Sequence, residues 1–556
     1  MHFEWRLSRG HRYLWIVESA RTPRGVRRTW QVYVGTAESL YHRLGRPRAV
    51  SLKTFPFGKT AALLRAAQDT GLFAALEHHF PRRDQQGLSV AQILFAQLLG
   101  RADGSLSREQ MPSWFPETAL PLLWDTRTPP SARTFLRYLR RLTETSRTKD
   151  DGEPVLSPER IHRVEEEVLR TVRAQGLTLD RLLVDTTNFF TYHQNGGLHQ
   201  KGHSKERRAD KNLVGQALIT AGPLPILSEL FPGDDTDPRV FERIFEALLT
   251  RLTRLEVATD ALVVVFDRGM NSTDNFEEVL GAMPVIAALN RQEARTLFAI
   301  PLSQFTEVAR DGSGRPILGH PTSWSGYDRS WRVVVTYRAE TARHQEARWT
   351  KTKEKVLTQV AKWRENLEHG RAAGRSRKAL MRKLVELIPR DYHGVFAYDV
   401  EVRDGKSWPV CTVPVEAEAR LKASWGKAAL VTDLPVERLS DEAVVLGYVA
   451  RAEIEDDFKW LKDRGVLSVK PVWVWNEASV RGHVFLCVMG LLLYRYLQWQ
   501  ARDLGLSMKR IVEELEKIRV GAIRDGGGRP QFVVERMGRV GSVLFGRLKL
   551  GEFLPS

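Results

Sequence analysis

The sequence predicts an α/β fold, a mixed sheet covered by helices, on three observations. Between residues 177 and 290, the strand-like runs LTLDRLLVDTTNFFTYH, NLVGQALITAG and PLPILSELFPG follow one another and close on the turn chemistry of Pro232-Gly233. An amphipathic helix (DPRVFERIFEALLTRLTRL), an apolar strand (ALVVVFDRG), a capped helix (STDNFEEVLGAM) and a short strand (PVIAAL) come next, an alternation of strand and helix. Finally, 556 residues with 42% hydrophobic content can bury large cores, enough for three or four domains.

Charge narrows the partners. A formal net charge of +17 attracts polyanions, and nucleic acid is the commonest such partner, although a ribosomal or membrane-surface role also fits. The two cysteines, Cys411 and Cys487, exclude a disulfide framework and a cysteine zinc site, and suit a reducing cytoplasm as buried apolar residues. The N-terminus MHFEWRLSRG lacks the apolar core of a signal peptide. The most apolar stretch, VFLCVMGLLLYRYL at 484–497, reads as a helix buried on all sides and too short to span a bilayer. The expectation is therefore a soluble, intracellular protein with no membrane partner.

Six blocks follow along the chain. Residues 1–50 hold ten Arg against three Glu, a net of +7, around the strand-like TWQVYVG, and form a basic β-containing arm. Residues 51–175 turn helical, with N-caps at Ser89 and Ser131 before SVAQILFAQLLGRA and SARTFLRYLRRLTE; they suit either a helix-turn-helix-like DNA-binding region or an ordinary bundle. Residues 176–290 are the α/β block. Residues 291–439 interrupt it as a β-rich insertion with a basic helical arm, in which residues 341–390 carry 14 Lys or Arg against 5 Glu. Residues 440–500 resume with a carboxylate-rich helix and the buried helix. Residues 501–556 add the helix SMKRIVEELEKIR and a short strand or two.

The chemistry begins in YVARAEIEDDFKWLK, residues 448–462, which has no Pro or Gly and spaces its apolar residues as one helix. On a wheel of about 100° per residue, Tyr448, Arg451, Glu455 and Lys462 fall within roughly 60° of each other, while Glu453 and Asp457 point away. An Arg–Glu pair on a solvated helix gives the same local pattern, so the rest of the chain must decide. Asp185 lies inside the apolar run LLVDTT, and Asp267 closes VVVFDRG. A carboxylate there is costly unless paired, hydrogen-bonded or bound to metal, and strand ends of open α/β sheets are where ligands bind. For either aspartate alone, a loop cap or a pair with a nearby Arg such as Arg268 accounts equally well. Asp185, Asp267 and Glu455 together make three hard oxygen ligands, the set that Mg²⁺ or Mn²⁺ prefers. Two such ions about 4 Å apart clamp the attacking and leaving oxygens of an in-line phosphoryl displacement. Arg451 and Lys462 would then hold a phosphate backbone, and Tyr448 would hydrogen-bond a phosphate or stack on a base.

The order Tyr448, Arg451, Glu455, Lys462 resembles the Y-R-E-K signature of bacterial insertion-sequence DDE transposases of the family four group. LLVDTTNFF with HSKERRADKNLVGQALITAGPLPILSELFPGDDTD, and VVVFDRGMNSTDNFEE, are similar to that family's two aspartate blocks. WVWNEASVRGHVFLCVMGLLLYRYL resembles the helix after the signature, and the N-terminal blocks are similar to the subgroup sixteen-thirty-four. The resemblance implies an RNase H-like catalytic domain in two parts, 176–290 and 440–500, split by the insertion. It implies a metal triad of Asp185, Asp267 and Glu455, and contacts from Tyr448, Arg451 and Lys462 to double-stranded DNA at the element's inverted repeats. The implied reaction has metal-activated water nick the element's terminus, after which the freed 3′-hydroxyl attacks a phosphodiester of target DNA. A homodimer on DNA, in a bacterial cytoplasm and at the nucleoid, is the family's expectation. In the family a Trp of the insertion can stack on a flipped base; Trp324, Trp331 and Trp349 are equal candidates. A domesticated DNA binder and a stand-alone nuclease of the same fold are the rival readings.

The loop 191–211 holds His193, His199 and His203, a possible metal group. Its Gly-rich, basic character favours a backbone-phosphate role for Lys201, His203, Ser204 and Lys205, or a plain solvated turn.

Overall fold

The apolar runs LLV, VVVF and VIAA lie side by side at the centre of a nine-stranded sheet in the computed structural model. The structure describes residues 2–554 apart from 24, 45–49, 82–86, 127, 149–151, 153, 195, 206–207, 209, 223, 370–375, 404 and 526–530. Two compact units divide the chain, one of residues 66–112 and 130–500, the other of residues 1–65, 113–129 and 501–556.

The first unit carries the large sheet. Its strands are β1 (Arg181–Thr191), β2 (Asn212–Ala221), β3 (Leu224–Pro232), β4 (Val263–Phe266), β5 (Val285–Ala288), β6 (Thr306–Arg310), β7 (Pro316–Gly326), β8 (Arg329–Tyr337) and β9 (Lys427–Thr432). They run in the order β6-β7-β8-β9-β5-β4-β1-β2-β3. β1, β4 and β5 are parallel and the other neighbours antiparallel, so the sheet is mixed. β2 is buried at every position and β4 and β5 nearly so, which is why they read as continuous apolar runs rather than alternating ones.

The block 291–439 behaves differently from a self-contained insertion. β6, β7, β8 and β9 all belong to the central sheet, with β9 wedged between β8 and β5. What stands apart are the helices Ala339–Glu368 and Arg377–Leu387, packed on a hairpin of Ala397–Arg403 with Lys406–Thr412 around Trp349, Leu384 and Val400. An apolar strand such as AALVT looks the same from its sequence whether it joins a local hairpin or a distant sheet.

Three helices return the chain to the sheet: α1 (Asp441–Val449), α2 (Arg451–Trp460) and α3 (Glu477–Gln500). Ser440 caps α1, its Oγ accepting from the Ala443 amide at 3.1 Å. Gly447 lets α1 lie close on β5, since a Cβ there would come within 2.8 Å of Ile286 Cδ1. α3 corrects one expectation. It runs 24 residues, because the Glu477–Arg481 pair and other polar ends prolong the apolar stretch, and by length and composition it could cross a bilayer. However, 89% of its most apolar window is buried inside the protein.

In the second unit, His2–Ser8, His11–Thr22 and Gly25–Thr36 form an antiparallel sheet containing the expected TWQVYVG strand. Val50–Pro56 pairs with Arg519–Asp525, which pairs with Gln531–Val534, so segments from near both termini share one sheet. The helix Arg539–Arg547 occupies part of the tail expected to hold only strands.

Candidate active site

Register places the two aspartates together. β1 and β4 are aligned with Val184 opposite Phe266, so the next residues, Asp185 and Asp267, stand side by side where β4 ends, on strands about 4.8 Å apart. β4 stops there because Arg268–Met270 turns into a short 3₁₀ helix. Burial pushes the Asp185 carboxyl up to about 6, and the charge of Asp267 adds to that. Lys205, Arg451 and the Thr186 amide, which donates to Asp185 Oδ1 at 2.8 Å, act in the opposite direction.

Residues 448–462 are not a single helix. α1 and α2 are separated at Ala450, which keeps helical angles (φ −59°, ψ −15°), and Lys462 lies in the turn beyond α2. Because the break is so slight, the predicted face survives it. Arg451 Nη1 donates to Asp267 Oδ1 and to the Tyr448 hydroxyl, both at 3.1 Å, and Arg451 Nη2 lies 3.6 Å from Glu455 Oε1. The guanidinium also stacks 5.3 Å over the Tyr448 ring. Burial pushes the Tyr448 phenol up to about 12. Arg451 itself is buried, whereas Glu455 is exposed.

The opposite face of α2 is structural. Arg495 from α3 donates through Nε to Asp457 Oδ1 at 2.6 Å and through Nη2 to the Glu453 carbonyl at 3.3 Å. Asp457 is 1% exposed, and burial pushes its carboxyl up to about 6. Arg495→Ala is expected to cost about 3 kcal/mol in urea unfolding, because it strands a buried carboxylate; an unchanged midpoint would exclude this role.

Of the remaining predicted residues, Lys462 and Lys205 reach β1 with their side chains. Lys462 Nζ donates to Thr187 Oγ1 at 2.7 Å, so the turn after α2 is tied to the strand that carries Asp185. Lys205 Nζ donates to the Thr186 carbonyl at 2.8 Å and hydroxyl at 2.9 Å. Lys201 reaches the Asp210 carbonyl, and His203 is exposed, its carbonyl accepting from Asn188 Nδ2 at 2.8 Å. Of the three insertion tryptophans, Trp331 and Trp349 are buried and cannot meet a base; Trp324 is half-buried, edge-on to Tyr327.

Asp267, Tyr448, Arg451 and Glu455 open into a pocket of about 330 Å³, with Arg268, Arg291 and Lys427 also in its walls. Arg291 lines a second pocket, of about 730 Å³, with Arg295 and Arg420. Sequence reasoning missed Arg291 and Lys427, and their local sequence carries no signal: each reaches the pocket only through the sheet order.

All three carboxylates offer hard oxygen donors and no nitrogen or sulfur, the chemistry Mg²⁺ or Mn²⁺ takes. Their oxygens do not all lie within 4.8 Å of one another; among the described residues only His78, His79 and Glu167 do, on other helices. Mg–O bonds of about 2.0–2.1 Å would need the three closer than that. The donor set therefore has the chemistry of a divalent-ion site, while the three carboxylates stand further apart than a shared ion requires, with the Glu455 side chain 52% exposed.

Residues 177–471 match the family model described as transposase DDE domain. Among solved structures, the chain is similar to a piggyBac transposase synaptic complex with hairpin DNA, with 8% identity and a TM-score of 0.36 over 82% of this chain and 79% of that one. It is also similar to a Mos1 transposase paired-end complex with the left transposon end, with 14% identity and a TM-score of 0.13 over 35% of this chain and 59% of that one. No curated protein matches the sequence. With its matched segment spanning more than half of the 556 residues, the chain belongs to the transposase DDE domain family.

Proposed function

We propose that this protein cuts and joins DNA strands at Asp185, Asp267 and Glu455, as the transposase of a bacterial insertion sequence of the family four group. One observation carries the reading: Asp267 and Glu455, from a strand and a distant helix, lie 3.1 and 3.6 Å from the buried Arg451, and the parallel register of β1 and β4 sets Asp185 beside Asp267. The order β3-β2-β1-β4-β5, followed by α1 and α2, supports an RNase H-like catalytic domain, with residues between β5 and α1 as its insertion.

Asp185, Asp267 and Glu455 would hold the two Mg²⁺ or Mn²⁺ ions, which supply activation of the attacking oxygen and charge stabilisation at the phosphate. The protein's own groups prepare that site. Arg451 offsets the repulsion between Asp267 and Glu455, and Lys205 does the same for Asp185. Tyr448, Arg451 and Lys462 contact the backbone of the inverted repeats, with Lys201, His203 and Lys205 further along the same strand. Two protomers hold two ends, the helical segment 51–175 takes part in end binding, and the work is done at the bacterial nucleoid.

The test is a duplex ending in the element's inverted repeat, incubated with the full chain, Mg²⁺ and a target plasmid. Joined product supports the proposal, cleavage without joining identifies a nuclease, and binding alone a domesticated binder. In the same system Lys462→Ala is expected to weaken end binding and lower the slope of log affinity against log salt by about one, since it removes one phosphate contact. An unchanged slope would count against that role.

A further inference from the structure

β1 does not stop at the carboxylates. It continues past the end of β4 through Thr187 to Thr191, and on one face of a strand Asp185, Thr187 and Thr191 follow in a row. Thr187 receives Lys462. Thr191, about 20 Å from Asp185 at strand spacing, shares a hydrogen bond of 3.1 Å with His199 Nδ1. The His199 ring stacks on His193 at 4.3 Å, and His193 meets the Trp475 ring edge-on at 4.7 Å. Trp475, in the segment before α3, is 76% exposed, and Tyr192 nearby on the β1 side is 65% exposed.

Two features separate this group from an ordinary surface tryptophan. His199 is buried and anchored through Nδ1 to Thr191, while its Nε2 has no hydrogen-bond partner among the described residues, so that side of the ring is held by ring contact. Burial also pushes His199 down to about 4 and lowers His193, which leaves both rings uncharged and purely aromatic at neutral pH. At the end of β1 cations sit on aromatic faces, Lys211 over Tyr192 at 4.9 Å and Arg208 and Lys470 over Phe190 at 4.8 and 5.1 Å, with Arg208 and Lys211 also paired to Asp210. An exposed indole on a neutral aromatic base, beside a strand end whose own rings carry lysine and arginine, matches a base-stacking platform.

We propose that Trp475, supported by the His193–His199 stack, is a stacking platform for unpaired bases of a DNA strand leading away from the carboxylate site along β1. This rests on the DNA-processing reading above and extends it: about 20 Å is roughly six base pairs of duplex, so the platform takes DNA beyond the reacting phosphate. The occupant is single-stranded, because the bases of an intact duplex are already stacked on each other. Stacking is tolerant of sequence, so the interaction does not require the element's own repeat.

The probe is therefore a dT oligonucleotide with one internal 2-aminopurine, bound to the full chain in EDTA so that no strand is cut. Its fluorescence should fall on binding to the wild type. Trp475→Ala should weaken single-strand binding about tenfold and abolish the quenching, while leaving affinity for a blunt duplex within about twofold. Trp475→Phe should restore both. His193→Ala, which leaves Trp475 in place and removes its support, should lose part of the quenching. If Trp475→Ala binds and quenches as the wild type does, the platform is overturned and the transposase reading stands. If the wild type binds neither probe, both readings fall.

Discussion

Glu455→Gln is expected to abolish strand cleavage, by about a thousandfold, while leaving binding to the inverted repeat intact. The substitution keeps the shape of the side chain and an oxygen for Arg451, whose Nη2 lies 3.6 Å away, and removes only the charge. The lost factor corresponds to about 4 kcal/mol, the several kcal/mol that a properly held divalent ion contributes to a phosphoryl transfer. Binding should survive, or improve slightly, because one negative charge leaves the neighbourhood of the DNA backbone. Glu453→Gln is the control. Glu453 shares α2 but faces the other way, toward Arg495, which donates to its backbone carbonyl and neighbours its carboxylate. It should retain near-wild-type cleavage. Equal loss in both variants would show that α2 as a whole, rather than one of its faces, matters.

That prediction was open to sequence reasoning because helical spacing is a local property. The face holding Tyr448, Arg451 and Glu455 follows from residue intervals, and it tolerates the slight break at Ala450. The caps at Ser89 and Ser131 are legible for the same reason, each hydroxyl accepting from an amide three residues on. Sheet neighbours are not local. Nothing in KAALVT tells that it pairs with β5 in the central sheet, and nothing in VSLKTFP tells that it pairs with Arg519–Asp525. Lys427 enters the pocket on β9 by such long-range pairing and Arg291 from the turn after β5, so neither is marked by its local sequence. Trp324, Trp331 and Trp349 are alike in sequence, and only burial sets Trp324 apart. The aspartate pair was half legible: a carboxylate in an apolar strand marks a candidate, but that Asp185 and Asp267 are neighbours depends on a parallel register no local pattern encodes.

Asp185→Asn is expected to destroy cleavage to a similar extent and, at the same time, to make the protein more stable at neutral pH. Burial raises the Asp185 carboxyl from an ordinary 3.8 to about 6 in the folded chain. A raised acid binds its proton more tightly when folded, so its cost to stability is absent below about pH 4, grows as pH rises between the two values, and is complete above about pH 6. At about 1.4 kcal/mol per unit, the ionised carboxylate costs up to about 3 kcal/mol at pH 7. Asparagine cannot ionise, and its oxygen can still accept from the Thr186 amide. Urea unfolding should thus show the variant more stable than the wild type at pH 7, with the difference closing as pH falls toward 4. A variant less stable at pH 7, or a gain that does not change with pH, would mean that the Asp185 charge is already compensated within the fold by Lys205 and Arg451. In that case the carboxylate would have no unmet demand for a cation, and the case for an ion at this position would lose its energetic basis.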